Sequence, residues 1–157
     1  ELIEGEIIKM SPTGSKHASC VNRLTNLLTK TRLVNQLEEK VIISVQNPIA
    51  LGEFSEPEPD LALLKYKADF YADTHPTPQD VLLLIEVADS TLETDRKIKA
   101  PLYAKAGIPE YWIVNLEEKQ LEVFHRSTLL RDDSSKTDFE LSSKDECRYH
   151  PTASPSP

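Results

Sequence analysis

Long apolar runs are missing from this chain of 157 residues: the longest, Val81–Ile85 and Val41–Ile43, fall far short of the roughly 20 residues a membrane span requires. No transmembrane helix is expected. Cysteine is nearly absent too. Cys20 and Cys147 stand far apart and in no metal-ligand spacing, which points away from a disulfide framework or a thiolate zinc site and toward a reducing, cytoplasmic setting. The opening residues Glu1-Leu2-Ile3-Glu4-Gly5-Glu6 contain no basic stretch leading into an apolar one, so they are not expected to act as a signal peptide. Positive charge is the third shortage. With 18 Lys plus Arg against 26 Asp plus Glu, the net charge of −8 argues against a protein that coats nucleic acid by bulk electrostatics. A nuclease stays open, because a metal-dependent phosphodiesterase gathers carboxylates at its centre and bound cations reverse the local sign.

What the chain does have is enough apolar material, 39% of residues, for one compact domain. A domain of this size buries about 70% of the surface its unfolded chain exposes, so it needs neither disulfide nor structural metal to stay folded. Residues 1–10 alternate apolar and acidic around Gly5 and predict a short strand or hairpin. Ser11–Ser15 is a loop by composition, and from His17 to about Arg32 the spacing of His17, Val21, Leu24 and Leu28 predicts a helix with one apolar face. Val41–Val45 is expected as a strand, with a second short piece near Pro48–Leu51. Pro57 and Pro59 forbid a helix before Leu61–Leu64, the next strand. After a polar connection comes Val81–Val87, apolar enough for a central strand buried on both faces.

A second helix is expected from Thr91 or Thr94 to Ala106, kinked at Pro101, stopped at Gly107, and burying Ile98, Leu102 and Ala106. Tyr111–Val114 and Leu121–His125 then complete a mixed sheet, with Tyr111 and Trp112 as core aromatics. Beyond Arg126 the apolar signal weakens. The composition therefore divides the chain into a domain over residues 1–126 and a polar C-terminal segment over 127–157.

Three residues stand out chemically. Strand alternation puts Glu86 on the face of Leu82 and Leu84, opposite Val81, Leu83 and Ile85, where a carboxylate is costly unless paired, protonated or metal-bound. Asp60 follows Pro59 at the entry to an apolar strand, and Lys99 follows Asp95 by four residues, close enough to meet it on a helix surface. Two carboxylates from adjacent strands plus an ammonium could bind a divalent cation and hold an activated water beside a phosphate. Arg96, Lys97, Lys99 and Lys105 form a basic cluster next to them that would suit phosphate.

At these residues the chain resembles a known family. Glu4-Gly5-Glu6 with Met10 and Ser11-Pro12, His17 opening a helix, Pro59-Asp60, Glu86-Val87 with Ser90, Asp95 with Lys99 and Tyr103, and Gly107–Val114 are similar in order and type to the Uma-type restriction endonucleases of the PD-(D/E)xK superfamily. The resemblance spans about residues 1–126. It implies an α/β, restriction-endonuclease-like core with a central mixed β-sheet flanked by α-helices, and a Mg²⁺-dependent endodeoxyribonuclease in which Mn²⁺ can substitute. Asp60 and Glu86 would be the metal-binding carboxylates and the Val87 carbonyl a further metal ligand. The superfamily lysine is absent two positions after Glu86, where Ala88 stands. The resemblance implies a migrated helix lysine instead: Lys99, with Lys97 as fallback and Asp95 and Tyr103 in the accompanying pattern. His17 is a possible accessory residue that an apolar stripe explains equally well. Glu56 and Glu58 are expected to be solvated. DNA would be the partner, and a homodimer or higher homo-oligomer is the simplest way to cut both strands. The competing reading, prompted by Ala88 and the polar C-terminal segment, is a catalytically weak or inactive binding or regulatory module on the same fold.

Overall fold

The fold is seen in a computed structural model, which describes residues 1–9, 14–126 and the backbone of 139–146. Two short strands, β1 (Leu2–Ile3) and β2 (Glu6–Ile7), form a hairpin whose two-residue turn, Glu4-Gly5, has positive φ at both positions (49° and 85°). Such a turn matches the natural strand twist and favours glycine. Helix α1 (Ser15–Val34) follows, and then β3 (Val41–Val45), β4 (Leu61–Lys65) and β5 (Val81–Ala88), each antiparallel to the last. A helical run crosses over to β6 (Glu110–Asn115), which pairs parallel with β5; β7 (Gln120–Arg126) and β8 (Phe139–Glu146) add antiparallel strands. The six-stranded sheet thus runs β3-β4-β5-β6-β7-β8 in chain order, with one parallel pair, so it is a mixed sheet in an α/β fold.

Helices cover both faces. Val21, Leu24 and Leu28 of α1 pack on Leu61, Leu83, Ile85, Val87 and Val114, so the periodicity of that helix reads its buried face correctly. On the other face Ala62, Leu64, Leu84 and Ile113 pack against Ala100, Tyr103, Ile108 and Tyr111. Glu86, between Leu84 and Ala88 in the alternation, belongs to this second face.

Several expectations need correction. Pro48–Leu51 forms no strand; Ile49 is buried there as a loop residue, its N–H bonded to the Pro57 carbonyl. Val81 shares a core with Leu84 rather than opposing it, because the β4–β5 register slips between Leu63 and Leu64. Leu82 falls in the slip and is partly exposed. Such a bulge resets the alternation of every residue before it. Beyond Arg126, Phe139–Glu146 is a strand on the sheet edge, inside the segment read as polar; Cys147 lies outside the described residues.

The crossover helix departs most. It is α2 (Leu92–Thr94), a π-helical turn over Asp95–Lys99, and α3 (Ala100–Lys105). A π turn holds one extra residue and so changes the helical phase. Pro101, in the first turn of α3 and directly after the π turn, has no N–H to donate. In the new phase Ile98 is 44% exposed, while Asp95, Lys99, Ala100, Tyr103 and Ala104 are buried. Of the expected stripe Ile98 is therefore exposed, whereas Leu102 and Ala106 are partly buried and Ala106 packs at the edge of the core. The run ends as expected at Gly107 (φ 80°), with the Gly107 N–H on the Ala104 carbonyl and the Ile108 N–H on the Tyr103 carbonyl.

Candidate active site

The site lies where β4 and β5 stop pairing. Their last partners are Leu61 and Ile85, so Asp60 just before β4 and Glu86 just after Ile85 flank the opening. The Asp60 carboxylate is held from three directions. Its Oδ2 accepts the Val87 N–H at 2.8 Å and His17 Nε2 at 2.9 Å, and its Oδ1 accepts Gln46 Nε2 at 3.3 Å. The shared acceptor makes Nε2 the protonated nitrogen of His17, whose Nδ1 is buried without a partner among the described residues. In extended backbone the N–H and C=O of one residue point to the same edge, so the Val87 carbonyl is directed into the same gap as its N–H.

Glu86 is 4% exposed, and only one of its oxygens is engaged. Its Oε1 accepts Lys99 Nζ and the Tyr103 hydroxyl, each at 3.0 Å, whereas Oε2 has no hydrogen bond among the described residues. Lys99 Nζ also lies 3.2 Å from Glu1 Oε2, so one buried ammonium sits between two buried carboxylates. Burial pushes the Glu86 carboxyl up to about 8, with Asp95 and Asp60 adding to the rise and Lys99 opposing it. Burial works against the charge on Lys99, but Glu86, Glu1 and Asp95 outweigh it and hold the ammonium above its ordinary pKa. Asp95 is raised as well, by burial first, against the hydrogen bond from Thr91 Oγ1 at 2.7 Å.

Of these groups Glu1, His17, Asp60, Glu86, Asp95 and Lys99 line one cavity of about 250 Å³, together with Gln46 and Asp89. Among the described residues no group of three or more His, Cys, Asp or Glu side chains is placed to hold a metal ion by itself. The carboxylates in its lining offer oxygens, and Glu86 Oε2 has no hydrogen bond among the described residues. That chemistry fits Mg²⁺, which binds through one or two carboxylates and keeps several waters.

The helix geometry sorts the sequence candidates. Lys99 and Tyr103 come to Glu86, and His17 reaches Asp60; Asp95 is buried beside them but bonds Thr91 rather than meeting Lys99 on the surface. Lys97 points outward to Glu93. The basic cluster disperses: Arg96 is held by the buried Glu122, and Lys105 is exposed near Glu4. Within the Glu4-Gly5-Glu6 motif Gly5 makes the turn and both glutamates are exposed, while Glu1 enters the site. Glu1, Gln46 and Asp89 escaped the sequence reading. A signal for Gln46 existed, since pairing Val45 with Leu61 places the following residue opposite Asp60; none existed for Glu1.

Comparison with known proteins gives two findings and one blank. A family model named Uma2 and described as "Putative restriction endonuclease" matches residues 1–144. Among solved structures, the crystal structure of a "putative nuclease belonging to DUF820" from Anabaena variabilis ATCC 29413 is similar at a TM-score of 0.60 and 14% identity, covering 88% of this chain and 74% of that one. At that identity the likeness is one of fold. No curated protein matches.

Proposed function

The chain belongs to the Uma2 family, and from that premise we propose that it is a Mg²⁺-dependent endonuclease hydrolysing DNA phosphodiester bonds, with Mn²⁺ able to substitute. The observation that carries this reading is Lys99 Nζ at 3.0 Å from Glu86 Oε1. A helix lysine thereby stands beside the strand carboxylate, making up for Ala88 in the strand itself.

Asp60, Glu86 and the Val87 carbonyl would hold the cation. When bound, it supplies charge compensation on a phosphate and lowers the pKa of water. The protein's own part is positioning. Lys99 and Tyr103 both grip Oε1 of Glu86, which fixes the carboxylate plane and leaves Oε2 turned to the cavity. His17, Gln46 and the Val87 N–H fix Asp60 in the same way. Lys99 donates toward charge developing on the phosphate oxygens, where a preorganised donor acts most strongly because it needs no reorganisation. The family likeness points to 5′-phosphate and 3′-hydroxyl ends, and a homodimer would place two such sites on a duplex. A non-catalytic binding module draws its support from Ala88, and the position of Lys99 weighs against it.

The test is a thermal-shift titration with Mg²⁺ and Mn²⁺ on the parent, Asp60→Ala and Glu86→Ala proteins, with nicking of supercoiled plasmid scored in the same samples. Stabilisation and nicking that both vanish in the variants are expected. A folded parent with no response to either metal and no nicking would overturn the proposal.

A further inference from the structure

Lys99 has two carboxylate partners, and the proposed chemistry uses only one of them. Its Nζ lies 3.0 Å from Glu86 Oε1 and 3.2 Å from Glu1 Oε2, and the three side chains are 5–6% exposed. Glu1 is itself tied down. Its Oε2 accepts the Glu58 N–H at 3.2 Å, its main-chain N donates to the Ile8 carbonyl at 3.2 Å, and the Ile8 N–H returns a bond of 2.9 Å. Glu1 thus joins three parts of the site: the hairpin at the start of the chain, the segment two residues before Asp60, and the helix ammonium.

The arrangement has a physical consequence once a divalent cation draws on Glu86. A cation at Oε2 takes up much of the negative charge that attracts Lys99 and repels the ammonium directly. A lysine is a flexible stem with a strongly hydrated head, and with Glu86 so engaged it would turn toward water. Glu1, at 3.2 Å, is then the anion in direct contact with Nζ, while the buried Asp95 acts on it without an ion-pair contact.

We propose that Glu1 is a positioning residue, the counter-charge that keeps the Lys99 ammonium at the rim of the cavity when Glu86 is committed to the cation. This deepens the nuclease reading and rests on it. Glu1 acts through Lys99 and ligates nothing itself.

The test uses the full chain as parent, Glu1→Gln, Glu1→Asp, Lys99→Ala and the Glu1→Gln/Lys99→Ala double variant. Glu1→Gln is isosteric and can still accept the Glu58 N–H, so it is expected to fold; Glu1→Asp keeps the charge on a shorter stem and serves as the conservative control. The first readout is independent of activity: labelling of Lys99 by an amine-reactive reagent, mapped by mass spectrometry with and without saturating Mg²⁺. Protection of Lys99 in the parent under both conditions, a several-fold rise in labelling of Glu1→Gln only when Mg²⁺ is present, and partial protection restored by Glu1→Asp are expected. The second readout is plasmid nicking. Glu1→Gln should lower the rate at saturating metal by tenfold or more, and should leave the half-saturating Mg²⁺ concentration, read by calorimetric titration, within twofold in both the parent and the Lys99→Ala background.

Lys99 that stays protected in Glu1→Gln with Mg²⁺ bound would overturn the inference. So would a large shift in the half-saturating metal concentration that persists in the double variant, which would make Glu1 a ligand. A parent that binds Mg²⁺ without nicking would count against the nuclease reading alone, because the labelling result still decides the role of Glu1.

Discussion

The main-chain N–H of Val87 donates to Asp60 Oδ2 at 2.8 Å, so the side chain of one strand entry closes the ladder that its own strand leaves open. The carboxylate therefore has a structural part beside its proposed place at the cation. Asp60→Ala strands a buried N–H, a loss of about 1–3 kcal/mol. Urea denaturation should show that loss without added metal, and the stabilisation by Mg²⁺ should disappear with it.

Glu86 should couple the proposed metal binding to pH. Its folded-state pKa of about 8 lies above the ordinary 4.5, so between those values the folded protein holds a proton that the unfolded chain has released. Stability contributed by that proton is complete below about pH 4.5 and is lost as pH rises to about 8, so the metal-free protein should weaken across this window. Metal binding has the opposite sign: a cation must displace the proton, and its apparent affinity should rise about tenfold per pH unit, levelling above pH 8. Calorimetric titration with Mn²⁺ from pH 6 to 9 checks this, and Glu86→Gln should abolish both slopes.

Two lysines two residues apart should behave oppositely. Lys99→Ala leaves Glu1 and Glu86 without their buried counter-charge, a loss of about 3–5 kcal/mol, and nicking should fall to background. Lys97 is exposed and faces Glu93, so Lys97→Ala should stay within about 0.5 kcal/mol of the parent and cleave at the parent rate. Equal activity in the two variants would remove Lys99 from the mechanism.

Gly107 should tolerate no side chain without strain. Its φ of 80° is left-handed, and Gly107→Ala should cost about 1 kcal/mol even though the nearest outside atom, on Arg126, is 3.7 Å from a built Cβ. Thermal denaturation checks this. Because the same turn bonds back to Tyr103, the variant should also lower the nicking rate more than a remote destabilisation of equal size would.

Much of this architecture can be read from residue patterns because burial dictates them. The four-three spacing of α1 and the apolar run of β5 have single physical solutions, and Asp60 and Glu86 are conspicuous because each is a charge on an otherwise apolar element. Lys99 needed the family likeness, since helical periodicity alone favoured Ile98 as the buried neighbour. That preference fails because the π turn alters the phase within the helix, a change hydrophobic spacing does not encode. The bulge at Leu82 misleads the alternation of β5 for a similar reason. Strand β8, with the sequence Phe139-Glu140-Leu141-Ser142-Ser143-Lys144-Asp145-Glu146, is an edge strand, and edges carry the polar residues that also mark tails. Glu1 joins the site only through the hairpin's return to the Glu56–Glu58 segment, a contact with no local signature.

The π turn over Asp95–Lys99 amounts to one residue more than an α-helix would need between its flanking turns. Each α-helical residue advances the side chains by about 100°, so removing a single residue would swing the ammonium out of the cavity and could bring an aliphatic group into its place. The β-strands and the carboxylate pair would keep their places, but Ala100 and Tyr103, which the same helix packs into the core, would lose theirs. The register of the crossover helix therefore sets two things at once, the side chains it buries in the core and the place of the ammonium, and a change of one residue in its length would disturb both together.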